Sequence, residues 1–328
     1  MELRWISDAG GTTQRPLTEL PDLLERTDGF LWLDIPAWSE EAADVLANQF
    51  KFHPIAIETT RERNHIPRVH VYSNHLFIVI HAPEIGTGGH VHYLELDQFL
   101  GERFLVTVHG PLNPKVPLEA ALRETQSVAE RMELGRLRPS SPFGLTYAIV
   151  SAIARREAAL AGDIARQVGL LEQRVMAASD EEPQEFLTQL FTARHELLTI
   201  RTMAAQGGEI YRRAIKLTTF APPSGLKLMK DLLDQYETVA SISQAQLDFL
   251  MGVTEFYRAR TDTKVTIAAE RLAVIAAITL PVTAISSVMG MNVIVNESTH
   301  WVLLIILLMI MTAISLIMLR WAKRQGWW

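Results

Sequence analysis

Counting back from Gly290 in steps of three and four gives Ser287, Thr283, Leu280, Ala276, Leu272 or Ala273, Ala269, Thr266 and Asp262. On a helix these positions share one face, and nearly all of them are small or carry a hydroxyl. Hydroxyls and small side chains suit a water-filled path for an ion. Small residues also let membrane helices pack closely, and the spacing alone fits both readings. Gly290-Met291-Asn292 closes the stripe. Glycine frees the backbone to leave helical geometry, and the Asn292 amide offers a neutral oxygen.

Two other sets of residues have chemical potential. Asp231 and Asp234 stand three apart, so a helix would put both carboxylates on one face. Eight of the ten histidines fall between His53 and His109, and His90 and His92 share a face if their segment is a strand. Imidazole suits zinc, cobalt or nickel. No cysteine accompanies the histidines, so packed or surface histidines compete with a zinc site.

The stripe needs a long helix to carry it. An uncharged apolar run of 20 residues spans Leu272–Met291 and another of 19 spans Trp301–Leu319. Each has the length a helix needs to cross a hydrocarbon core. Arg258, Arg260, Lys264 and Arg271 precede the first run, and Arg320, Lys323 and Arg324 follow the second. The connecting loop Asn292–His300 holds no Lys or Arg and one acid, Glu297. By the positive-inside rule both ends are cytoplasmic and the loop is external, in a multi-pass inner or plasma membrane protein. After Gly225 no proline occurs until Pro281, which predicts one helix over about 226–291. Such a helix needs neighbours, and copies of the chain supply them.

Upstream, Phe30–Ile35, Leu76–Ile80, His92–Leu100 and Phe104–Val108 read as strands, with a turn at Gly86–Gly89. Ser39 before Glu40 and Glu41 reads as an N-cap. From Ser141 the pattern turns helical: one helix from about Phe143 to Ser179, a break at Ser179–Pro183, and another from about Gln184 to Thr218. The expected organisation is a cytoplasmic α/β domain over 1–140, a helical hairpin over 141–224 and a stalk helix over 225–271. Membrane helices over 272–291 and 301–319 follow, joined by the loop 292–300 and ended by a basic tail over 320–328.

Composition narrows the function. The 328 residues carry a net charge of −6, against the basic face of a nucleic-acid binder. The absence of cysteine excludes disulfides, thiolate zinc sites and cysteine nucleophiles. Met1–Asp8 has no apolar core of signal-peptide length, so the large N-terminal part is expected to stay where it is made. No phosphate-binding glycine loop, no nucleophile elbow and no intramembrane carboxylate occurs. Neither an enzyme nor a cofactor is expected.

Gly290-Met291-Asn292, with Leu280-Pro281-Val282-Thr283 before it, closely resembles the CorA family of divalent-cation channels. Trp32-Leu33-Asp34, Phe52–Glu58, Ile66–Val69, Phe77–Ile80 and Phe99–His109 occur in the order seen in that family's cytoplasmic domains. The resemblance implies a funnel-shaped homopentamer in the lipid bilayer that admits Mg²⁺, with Co²⁺ and Ni²⁺ as further candidates. Its pore is lined by the first membrane helix, here through Ser287, Thr283, Leu280, Ala276, Leu272, Ala269 and Thr266. Leu280 and Leu272 are the bulky members, expected to act as hydrophobic constrictions. Gly290, Met291 and Asn292 would form the filter. Because Mg²⁺ gives up water reluctantly, neutral amide and carbonyl oxygens suit its hydrated form.

The resemblance also implies regulatory Mg²⁺ between neighbouring soluble domains near the start of the long helix, where Asp231 and Asp234 stand, with Glu237 beyond. The loop departs from the family: many members have Met-Pro-Glu-Leu where this chain has Asn296-Glu297-Ser298-Thr299. Glu297 could still draw cations to the mouth by its field. The departure leaves the ion preference open. A zinc transporter of the same superfamily, or a membrane-tethered regulator that transports nothing, are the alternatives.

Overall fold

The computed structural model describes residues 1–111, 113–177, 183–290 and 301–324. They form two compact units, Met1–Gly252 and Val253–Trp328.

The first unit is built on a seven-stranded sheet. Its strands are β1 (Glu2–Ser7), β2 (Thr12–Arg15), β3 (Gly29–Ile35), β4 (Arg68–Val71), β5 (His75–Ile85), β6 (Val91–Gly101) and β7 (Phe104–His109), in spatial order β2-β1-β3-β7-β6-β5-β4. All neighbours are antiparallel except β3 and β7, which pair in parallel with Leu33 beside Val106. The four strands expected from the sequence are present and longer, and the glycine turn closes the β5–β6 hairpin.

Helices α1 (Leu20–Glu25), α2 (Glu40–Asp44) and α3 (Pro54–Arg61) cover one face. Alternate residues Leu3, Trp5, Leu31, Leu33, Phe77, Val79, Phe99 and Val106 point into that core, with Leu20, Leu46, Phe52 and Ala56 packed above. Alternation at period two is what a strand needs to bury one face. Ser39 caps α2 as expected, its side chain accepting from Ala42 N at 3.0 Å.

The opposite face meets α5 (Pro142–Met176), which crosses β3, β5, β6 and β7, and α6 (Pro183–Leu217), which packs on β4 and β5. Helix α4 (Leu118–Glu133) packs against α5. This face buries polar groups. Trp32 Nε1 donates to Thr107 Oγ1 at 2.9 Å, and that hydroxyl donates to Asp34 Oδ1 at 2.6 Å. His109 Nε2 stands 3.2 Å from the same carboxylate and 3.1 Å from Thr125 Oγ1 of α4. Burial alone would raise the Asp34 carboxyl; the hydrogen bond and charge of His109, with Thr107, outweigh it and hold the group below the usual carboxylate range.

Strands β1, β2 and β4 and helices α1, α3 and α4 were not expected. Their signals are legible afterwards: Leu3 and Trp5 alternate, and Leu122, Val128, Ala129 and Met132 of α4 are buried on one face. Helix α5 ends at Met176, three residues before the expected Ser179; of the expected break Ser179–Pro183, residues 179–182 lie outside the described residues and Pro183 opens α6. Two more helices complete the chain, α7 (Pro223–Gly290) and α8 (Trp301–Arg324). Helix α8 runs past the expected end at Leu319, through Arg320, Lys323 and Arg324.

Candidate functional site: the long helix and its uncharged stripe

Helix α7 holds 68 residues, roughly 100 Å at the α-helical rise. Proline suits its start because the first turn needs no N–H donor. Pro281 lies inside it and removes one rung of the hydrogen-bond ladder, the one to the Ala277 carbonyl. The helix continues to Gly290.

Every residue of the expected stripe that is described stands exposed on α7: Thr266, Ala269, Leu272, Ala276, Leu280, Thr283, Ser287 and Gly290. The partly or fully covered residues of this stretch are Glu270, Val274, Ala277, Ile278, Pro281, Val282 and Ile285. At 3.6 residues per turn they fall on the side of the helix opposite the stripe. The stripe is thus open along its length, and the covered residues apart from Glu270 are apolar, while Ile267 and Ile275 off the stripe are also exposed. Met291, Asn292 and Glu297 lie outside the described residues.

The hydroxyls on the stripe have a definite polarity. Thr283 Oγ1 donates to Thr279 O at 2.8 Å, and Thr266 Oγ1 donates to Asp262 O at 2.9 Å. With each proton turned back to the helix, the lone pairs face outward as acceptors. Acceptors are what the water shell of a cation seeks. Leu272 and Leu280, each 66% exposed, interrupt this row with bulk. Pro223–Ser287 and Ile305–Arg324 are long and apolar enough to cross a membrane by length and composition. On α8, Val302, Ile305, Leu308, Met309, Leu316 and Ile317 are all exposed, a large apolar surface that calls for lipid or protein cover.

Asp231 and Asp234 both lie on α7 and are exposed. They stand in its third turn, because the helix begins at Pro223, and its first turn carries no acid. Asp231 Oδ2 accepts from Tyr147 Oη at 2.6 Å and from Gln235 Nε2 at 2.8 Å. Those two donors hold the Asp231 carboxyl below its usual range. Glu237 is engaged elsewhere, accepting from Arg212 at 2.5 Å. Tyr147 and Gln235 were not singled out by sequence; no local pattern marks a tyrosine that meets a carboxylate 84 positions away.

A family model described as CorA-like Mg²⁺ transporter protein matches residues 27–324. The chain belongs to that CorA-like family. It is 24% identical over 319 residues to YfjQ of Bacillus subtilis (strain 168), by name a metal ion transporter, across 94% of this chain and 92% of that protein. It is 23% identical over 283 residues to the cobalt/magnesium transport protein CorA of Thermotoga maritima, across 85% and 77%. The complete structure of the CorA magnesium transporter from Methanocaldococcus jannaschii superposes with a TM-score of 0.81 over 100% of this chain and 99% of that one, at 13% identity. That likeness establishes the shared fold.

In this CorA-like chain the histidines mostly serve the fold. His53 Nδ1 accepts from Ile55 N at the start of α3, His75 stacks on Tyr72 and meets Phe52 at a tilt, and His81 Nε2 bonds Asn64 O at 2.7 Å. Among the described residues no group of three or more His, Cys, Asp or Glu is placed to hold a metal ion.

Proposed function

We propose that this chain assembles as a homo-oligomer, a pentamer by family resemblance, that conducts Mg²⁺ passively across a membrane, with Co²⁺ and Ni²⁺ as further substrates. The observation that carries the reading is the open, uncharged stripe of α7 from Thr266 to Gly290, set opposite the covered side chains of Val274, Ile278, Val282 and Ile285. A single pair of membrane helices cannot enclose a pore, so several copies must contribute the stripe. Both termini are cytoplasmic in this reading, with 272–291 and 301–319 as the membrane segments. Gly290, Met291 and Asn292 form the filter through neutral oxygens that bond the ion's waters. Glu297 concentrates cations at the outer mouth. Asp231 and Asp234 bind regulatory Mg²⁺ against a neighbouring copy.

The driving force is the membrane potential. A divalent ion falling through 100 mV gains about 4.6 kcal/mol, twice the single-charge value, so no nucleotide or other cofactor is required. The test is Asn292→Ala in a strain that requires this transporter for magnesium, with assembly followed by size-exclusion chromatography. The expected result is an assembled protein without uptake. Wild-type growth would place the filter elsewhere. Competition by Co²⁺, Ni²⁺ and Zn²⁺ in the same assay ranks the ions, and preferential uptake of Zn²⁺ would favour the zinc-transporter alternative.

A further inference from the structure

The first unit carries a cavity of about 430 Å³ beside the β5–β6 hairpin, lined by Arg63, His65, His90, His92, Asn113 and Lys115, with Val91 and Tyr93. Two permanent cations and three imidazoles face one space, and no carboxylate lines it. The acids nearest in register are committed elsewhere. Glu84, opposite His92 in the β5–β6 ladder, accepts from Arg123 and Arg156. Glu95 of β6 accepts from Asn64 N and Asn64 Nδ2, each at 2.7 Å. In a chain of net charge −6, this concentration of positive charge stands out, with the Glu95 carboxylate behind it as an acid whose charge acts on Arg63.

The polar tips are oriented as donors. Asn113 Oδ1 accepts from Lys115 N at 3.0 Å, which fixes the amide so that Nδ2 donates to His92 Nδ1 at 3.2 Å. The proton of neutral His92 therefore sits on Nε2. The ring of His90 stands edge-to-face against it, 4.6 Å between centroids. A metal ion needs lone pairs, and here one His92 lone pair is already used while Arg63 and Lys115 repel a cation. An anion needs N–H donors and positive charge, and finds both. Burial, followed by the charges of His90, Lys115 and Arg63, lowers the His92 pKa, a repulsion that a bound anion would relieve.

We propose that this cavity binds a multivalent anion of the phosphate class, with the Arg63 guanidinium taking two oxygens, Lys115 supplying a point charge and the His90 and His92 rings closing the site. The guanidinium fork matches phosphate geometry. The volume falls within the roughly 300–1,000 Å³ of small-molecule sites. This assignment does not rest on the transport reading, since it concerns side chains that the pore does not use.

Calorimetric titration of the full-length protein in detergent, in Mg²⁺-free buffer of fixed ionic strength, tests it with sodium pyrophosphate, ATP and citrate as probes. Saturable pyrophosphate binding is expected, weakened about tenfold or more by Arg63→Gln and again by Lys115→Gln, as loss of a charged hydrogen bond implies. Both side chains are exposed, and an unchanged melting temperature without ligand shows that the fold is kept. ATP binding tighter than pyrophosphate assigns a nucleotide; equal affinity assigns the phosphate group alone. No saturable binding, affinity unchanged in the double variant, or citrate bound as tightly as pyrophosphate overturns the proposal. So does saturable Zn²⁺ binding that His90→Ala removes and Arg63→Gln leaves untouched.

Discussion

Tyr147 of α5 donates its hydroxyl to the Asp231 carboxylate of α7 at 2.6 Å, and so one of the two acids expected to bind regulatory Mg²⁺ is already held by a neighbouring helix. The bond leaves Asp231 ionised and aimed, with its second oxygen available, while Asp234 stands exposed three residues on. Asp231→Asn combined with Asp234→Asn is expected to abolish protection of the soluble region from protease by millimolar Mg²⁺. Tyr147→Phe frees the second lone-pair site and should shift the protecting Mg²⁺ concentration downward, by up to about tenfold for one hydrogen bond released. Full protection in the double variant would put the sensor elsewhere.

Leu280 is exposed and, with Leu272 at the cytoplasmic end, is one of the two bulky members of the stripe in the expected membrane segment. A ring of leucines narrows a pore and favours its drying. Leu280→Ser should raise leak current in reconstituted bilayers several-fold. Flux equal to the wild type would mean that Leu280 faces lipid and that the pore register is displaced by about one residue, or 100°.

Burial pushes His75 down from 6.5 to about 4. The unfolded chain binds this proton as pH falls below about 6.5, and the folded protein does not until about 4. The unfolded state therefore holds more protons across that window, and stability falls as pH is lowered through it. His75→Phe, which keeps an aromatic ring against Tyr72 and Phe52, should flatten part of the loss. His81, also lowered by burial, contributes with the same sign, so a residual slope is expected. Urea unfolding between pH 7 and pH 4 measures the difference; an unaltered slope in the variant would remove His75 from the account.

Glu157 of α5 is fully buried, and neither of its carboxylate oxygens has a hydrogen-bond partner among the described residues. Burial raises its pKa well above the ordinary 4.5. The folded state keeps the proton that the unfolded chain releases, so this group lowers stability as pH rises above about 4.5. Each unit of the rise weighs about 1.4 kcal/mol once pH exceeds it. Glu157→Met should raise the melting temperature at neutral pH, with the gain shrinking toward pH 4.5. Destabilisation of equal size at all pH values would show that Glu157 is ionised and paired.

Local chemistry along the chain was enough to determine α7, α8 and the character of the stripe. The absence of proline from Gly225 to Pro281, two uncharged runs and their basic flanks act through breakers, hydropathy and period, which need no distant partner. The core strands were legible for the same reason: Leu76–Ile80 and Phe104–Val108 are dense in β-formers. Tertiary structure alone decided that β3 lies parallel to β7 while every other pair is antiparallel, since a strand's composition carries no record of which neighbour it will meet. It alone brought Tyr147 to Asp231, set Arg63 and Lys115 around His90 and His92, and buried the Glu157 carboxylate with no hydrogen-bond partner among the described residues. Those pairings depend on how helices pack on the two faces of the sheet. Packing is a relation between surfaces far apart in the chain, so no window of residues contains it.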